Sequence, residues 1–301
     1  MISDPGCPDE GGAPGSETRE SCTGDRGIYL RLPAAILLLV GCMLLQVPLH
    51  LVLKPILGKN LAVATAMLAG MFLPAVAVVL WISPSPRKTF RLRTIPAEEM
   101  ISVAGISLSF AFLAGGLFEW LLRSERIPPT LVELLEREEM IFREVFRLES
   151  NLDVLIVGAV LIGLAPLAEE FLFRGLFQAS LERTIGRWPG ILIAALCFGL
   201  LHGRVRFIPV TLLGLLMGYM VMRTNSLPAG LLAHSLNNLA VLSLSQLFAR
   251  HSASLNLPLF AAIGGGIALV IFLGRFRSLS EHHDRIQRRR AGSISTPFPN
   301  T

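Results

Sequence analysis

The sequence predicts an all-α polytopic membrane protein, a bundle of about eight transmembrane helices, and three observations carry that prediction. The 301 residues are 52% hydrophobic and only 16% charged, whereas an ordinary soluble domain carries about a quarter charged residues. The charges collect in short connectors between long apolar runs. Most of those runs approach the roughly 20 residues that cross a bilayer as a helix. Helices are required because an open strand cannot satisfy its backbone in lipid.

The elements follow in order. Residues 1–27 are rich in Gly, Pro, Ser, Asp and Glu and predict a disordered polar tail. The first apolar run, Pro33–Leu53, reads as a retained span, because the lead-in is long and acidic and lacks a small-residue cleavage site. Further spans are expected at Leu61–Ile82, Met100–Leu122, Asp153–Leu181, Trp188–Gly203, Phe207–Met222, Leu227–Phe248 and Leu257–Phe276. Pro48 and Pro74 are candidate kinks in the first two. Between the third and fourth spans, residues 130–150 mix apolar positions near helical spacing with many charges, which suits an interfacial or solvated connector helix. The organisation expected is a tail (1–27), N-terminal spans with the connector (28–150), a core of further spans (151–250), a last span (251–278) and a basic tail (279–301).

Charge sets the expected orientation. Arg26, Arg31, Arg87, Lys88, Arg91, Arg93, Arg183, Arg187, Arg223 and the Arg-rich C-terminus fall on one side of an eight-span bundle, while Lys54, Lys59, Arg204, Arg206 and Arg250 fall on the other. The first side is expected in the cytoplasm, with both termini inside. The net charge of +5 is explained by these connectors facing anionic lipid, so no nucleic-acid partner is expected. Cys7, Cys22, Cys42 and Cys197 form no C-x-x-C pair. Cys42 and Cys197 lie in apolar runs and read as small core residues.

Ionisable residues within the bilayer are costly and mark function by default. They cluster in the second half of the chain, at Glu169, Glu170 and Arg174 in the fourth span, His202 in the fifth and His234 with Asn237 and Asn238 in the seventh. Glu170 and Arg174 are four residues apart on one helix face and can pair. Glu169 is turned about 100° away and stays available for chemistry. His234 and Asn238 share a face by the same spacing. Counted from the expected span ends, Glu169 lies about 18 Å deep, His202 about 20 Å and His234 with Asn238 roughly 10–16 Å, so the groups can meet. A partly desolvated carboxylate can serve as a base, and imidazoles with an asparagine amide can orient water or stabilise an oxyanion. Phe198 is expected to pack against the turn that carries His202. The pairs Gly199/Gly203 and Gly214/Gly218 read as close helix-packing faces.

The motifs stand as Glu169-Glu170-Phe-Leu-Phe-Arg174, Phe198-Gly-Leu-Leu-His202 and His234-Ser-Leu-Asn-Asn238. Three motifs in this order, over about Asp153–Leu247, resemble the CAAX protease and bacteriocin-processing family of intramembrane endopeptidases. The resemblance implies an eight-helix bundle with a site opening to the cytosol. It implies that Glu169 activates the attacking water, that His202, His234 and Asn238 complete the site, and that Glu170 and Arg174 support it. It further implies a membrane-anchored peptide or protein substrate, a bacterial plasma membrane setting and no cofactor. Zinc at Glu169, His202 and His234 is the alternative, although the H-E-x-x-H signature is absent. A catalytically silent scaffold or immunity factor and a small-substrate transporter are the competing functions.

Overall fold

The computed structural model describes residues 29–124, 127–145, 150–251 and 256–294. The expected polar tail, with Cys7 and Cys22, lies outside the described residues, as do 295–301. Among the described residues there are helices and connectors and no strand. They are α1 (Leu32–Leu57), α2 (Lys59–Ile82), the single turn α3 (Pro86–Thr89), α4 (Ala97–Arg123), α5 (Pro129–Val145), α6 (Asn151–Ile185), α7 (Arg187–Leu200), α8 (Phe207–Thr224), α9 (Leu227–Arg250) and α10 (Asn256–Ile294).

Seven of these, α1, α2, α4, α6, α8, α9 and α10, are long and apolar enough to cross a membrane. The fifth expected span is shorter than the sequence reading. α7 has 14 residues, a rise of about 21 Å against a hydrocarbon core of about 30 Å. It stops because the chain turns at Gly203, which sits at φ 94°, a conformation that a Cβ disfavours. The last helix is longer than expected, running past Phe276 to Ile294. The segment just beyond Phe276 lacks a helix breaker, and Arg277 pairs with Glu281 at 2.9 Å, one turn on.

Two of the interior prolines share a structural consequence. Pro74 and Pro166 each follow a widened π turn, Leu68–Phe72 and Val160–Leu164. Proline lacks an N–H and collides with the carbonyl four residues back, and a π turn moves that carbonyl out of the way. Pro48, in contrast, is carried inside a continuous α1. A third π segment, Phe171–Gln178, begins immediately after Glu170.

Contacts between connectors sort the bundle into two ends. At one end the Arg91 carbonyl accepts from Leu227 N at 3.0 Å, Arg91 pairs with Glu182 at 2.5 Å, Ser180 donates to Leu30 O at 2.8 Å, and Arg223 bonds Ser280. At the other end Asn60 donates to Asp153 at 2.7 Å, and Arg123 donates to Phe248 O at 2.7 Å. Glu138 of α5 there accepts from Arg204 N at 2.9 Å and Val205 N at 3.2 Å. The two groups are the two loop sets separated on charge above. Because the start of α1 and Ser280 of α10 share an end, seven long passes and the short α7 together make an even number.

Packing follows from the bilayer. Leu37, Leu44, Leu155 and Val270 are each 70% or more exposed on the outer surface, as lipid-facing residues should be. The buried core is aromatic around α6 and α7, where Phe173, Phe177 and Phe198 lie with Leu172, Leu176 and Met217. Cys42 is buried and Cys197 half-buried among apolar neighbours.

Candidate active site

The site is assembled on α6, α7 and α9. Helix α6 starts from a capping box in which Ser150 accepts from Asp153 N at 3.1 Å and Asp153 accepts from Ser150 N at 3.0 Å. It then delivers Glu169 and Glu170 at the junction between an α segment and the third π segment. His202 stands two residues beyond the end of α7, and its backbone N–H still reaches Gly199 O at 3.0 Å. Helix α9 contributes His234 from its second turn, with Pro228 in the first.

Arg174 Nη1 donates to Glu170 Oε1 at 2.9 Å, with side chains 2% and 0% exposed. The four-residue spacing thus works as expected. His234 Nδ1 lies 3.0 Å from the same carboxylate oxygen. An ionised Glu170 can only accept, so His234 carries its hydrogen on Nδ1 and presents Nε2 on the opposite side. His202 Nδ1 lies 2.7 Å from Phe198 O, and a carbonyl likewise only accepts, so Nε2 is again the outward nitrogen.

Both outward nitrogens face Glu169. His202 Nε2 is 3.7 Å and His234 Nε2 3.8 Å from Glu169 Oε2. That oxygen is buried and has no direct hydrogen-bond partner among the described residues. Separations beyond 3.5 Å are those at which a bridging water belongs. The site is open on the His202 flank, where the side chain is 32% exposed against 5% for His234.

Phe198 does more than pack beneath His202. Its ring is 4.5 Å from the His202 ring and 5.7 Å from the His234 ring, and the Arg174 guanidinium lies 4.3 Å from its centroid. One aromatic ring is therefore the neighbour of three of the polar groups, with a cation–π contact on Arg174.

Asn238 makes a bond between helices. Its Nδ2 donates to Leu161 O at 2.8 Å, within the first π turn of α6, so one of its two N–H groups ties α9 to α6. The pair Gly199/Gly203 needs correction. Gly203 lies in the turn beyond α7, where a Cβ would meet Glu138 at 2.8 Å, while Gly199 faces Thr211 and Phe207 O of α8. Gly214 and Gly218 do form a close face, against Ala195, Ile191 and Gln178.

Two contributors were missed in the sequence. Gly230 lies against Glu170 Oε2, and the signal for it, a glycine one helical turn before His234, was available. The Leu161 carbonyl gave no signal, because a backbone acceptor has no side-chain signature. Two imidazoles and a carboxylate are donors that zinc accepts, and on one tetrahedral ion with bonds of about 2.0–2.2 Å they would stand roughly 3.3–3.5 Å apart. The Nε2-to-Oε2 separations here are 3.7 and 3.8 Å, and among the described residues no group of three His, Cys, Asp or Glu is already drawn together as a metal site.

Comparison with known proteins bears on the same segment. Residues 151–240 match the family described as type II CAAX prenyl endopeptidase Rce1-like. That stretch runs from the start of α6 into α9 and contains all three motifs. The resemblance drawn from the motifs is therefore found for the segment as a whole. No curated protein and no solved structure matches the chain.

Proposed function

We propose that this chain, Rce1-like across residues 151–240, is an intramembrane endopeptidase that hydrolyses a peptide bond in a membrane-anchored peptide or protein. The observation that carries the reading is the buried Glu169 Oε2 with two imidazole Nε2 atoms at 3.7 and 3.8 Å. A water held among these atoms loses a proton to Glu169 as its oxygen attacks the scissile carbonyl carbon. The same proton then passes from Glu169 to the leaving amide nitrogen as the C–N bond breaks. This is general-base followed by general-acid use of one carboxylate.

Each neighbour has a separate task. His202, as the more exposed imidazole, meets the substrate carbonyl and stabilises the developing oxyanion in its protonated form. His234 is fixed by Glu170, which Arg174 in turn holds, so its Nε2 keeps the water aimed. The second N–H of Asn238 supports the oxyanion while the first remains on Leu161 O. The chemistry needs no cofactor. The active chain lies in a bacterial plasma membrane with both termini cytoplasmic, following the basic connectors at one end.

The test is proteolysis by the purified chain in liposomes against a library of membrane-anchored peptides, prenylated and unprenylated. Wild type, Glu169→Gln and a chelator-treated sample are compared. Cleavage that disappears in Glu169→Gln and persists with chelator supports the proposal, and the cleaved peptides define the substrate. Unchanged cleavage by Glu169→Gln sinks the role of Glu169. Loss with chelator and recovery with zinc would make Glu169, His202 and His234 metal ligands instead.

A further inference from the structure

A second polar site lies away from Glu169, at the end of the bundle that carries Arg91 and Arg223. There the connectors before α4, between α6 and α7, and between α8 and α9 enclose, with α10, a cavity of about 430 Å³. Four arginines line it, Arg91, Arg93, Arg187 and Arg223, against two carboxylates, Glu99 and Glu182. The arithmetic, 4 − 2, leaves two positive charges in excess. Much of the remaining lining is uncharged and polar, including Thr224 and Ser280.

The cavity is built rather than a chance meeting of surface side chains. Arg91 is 8% exposed and its backbone sits at φ 54°, a left-handed conformation unusual for a residue with a Cβ. The flanking connector is pinned by two bonds, Leu227 N to Arg91 O at 3.0 Å and Ser226 Oγ to Arg93 O at 2.5 Å. Glu182 accepts from Arg91 at 2.5 Å and from Gln178 at 2.7 Å. Arg91 Nε is buried and has no hydrogen-bond partner among the described residues. Arg223 is oriented by Ser280, with Nε to Oγ at 2.8 Å. Arg93 and Arg187 stand exposed at the mouth.

The depth of the mouth follows from its neighbours. Trp188, next to Arg187, is 64% exposed and stacks on Tyr219 at 5.9 Å between centroids. Exposed Trp with Tyr marks the headgroup level of a bilayer. A cationic cavity between membrane helices at that level matches the chemistry of an acidic headgroup. Arginine suits a phosphate in particular, because its planar fork of donors can engage two oxygens at once.

We propose that this cavity binds a phosphate group, supplied by the headgroup of an anionic phospholipid in the leaflet it faces. The site is independent of the proteolytic reading, and its test uses no activity. The full chain in neutral detergent is titrated with short-chain phosphatidylglycerol, phosphatidylcholine or inorganic phosphate, and bound molecules are counted by native mass spectrometry. Wild type is expected to retain one phosphatidylglycerol that phosphatidylcholine does not replace. Arg93→Ala/Arg187→Ala should weaken that binding roughly thirtyfold, while Arg250→Ala, a basic residue at the opposite end, should leave it unchanged. Arg187→Glu alone should weaken it as well. Both mouth arginines are exposed, so the thermal midpoint in detergent alone serves as the folding control. Retention of inorganic phosphate by wild type with no retained phosphatidylglycerol would assign the source to free phosphate and overturn the lipid half of the proposal. Equal retention by the double variant, or equal binding of phosphatidylcholine, would overturn the site altogether.

Discussion

Gly230 stands so close to Glu170 that a Cβ on it would lie 2.7 Å from Oε2, and as close to Val221 Cγ2. The carboxylate that holds His234 thus owes its position to an absent side chain on the neighbouring helix. Gly230→Ala should force Glu170 aside, lower stability by about 1–3 kcal/mol, the usual cost of overpacking, and misalign His234. A thermal midpoint in detergent and the cleavage rate check this together. An alanine variant with the stability and rate of wild type would show that the contact gives way freely.

Glu169→Gln should abolish cleavage by a factor of about 10²–10⁴, the range for losing a general base. The thermal midpoint should stay near wild type, because Oε2 has no direct partner among the described residues whose loss would destabilise the fold. The paired readout separates a catalytic glutamate from a structural one, which would lose stability too.

The Glu170–Arg174 pair is expected to behave in the opposite way. Both side chains are buried, and removing one leaves a bare charge. Arg174→Ala or Glu170→Ala should cost about 3–5 kcal/mol and yield little folded protein. Replacing both with Met or Leu should recover much of that stability but no cleavage, since His234 would lose the acceptor on Nδ1. Recovery of cleavage in the double variant would remove Glu170 from the mechanism.

Asn238 tests whether one residue serves two tasks. Its bond to Leu161 O is an interhelical hydrogen bond of about 0.6 kcal/mol in a bilayer. Asn238→Ala should therefore lower the midpoint only slightly. Its effect on kcat should exceed what that small loss explains if the second N–H meets the oxyanion. A fall in stability with kcat unchanged would leave Asn238 as a helix tie alone.

Orientation can be read by labelling single cysteines in an otherwise cysteine-free chain. Arg87 and His251 are exposed at opposite ends of the bundle. With an impermeant maleimide on intact cells, His251→Cys should label directly and Arg87→Cys only after permeabilisation. The reverse pattern would place the phosphate cavity, and both termini, outside.

Much of this molecule was legible in the sequence because the bilayer is a severe solvent. Apolar length alone located the spans, since lipid leaves helices as the available structure. The i, i+4 spacing alone gave the Glu170–Arg174 pair, because one helical turn fixes both ends. The charge of the connectors sorted them into the two ends that the structure brings together. Other features arise only when helices meet. The early stop of α7 depends on Gly203 turning beneath Glu138, a contact between distant segments. The tautomers of His202 and His234 depend on Phe198 O and Glu170, and only tertiary packing aims both Nε2 atoms at Glu169. The bond from Asn238 to Leu161 O and the cationic cavity at the bundle end likewise unite residues from separate helices. Periodicity encodes what a single helix does in lipid. It cannot encode which backbone carbonyl, or which absent Cβ, a neighbouring helix will present.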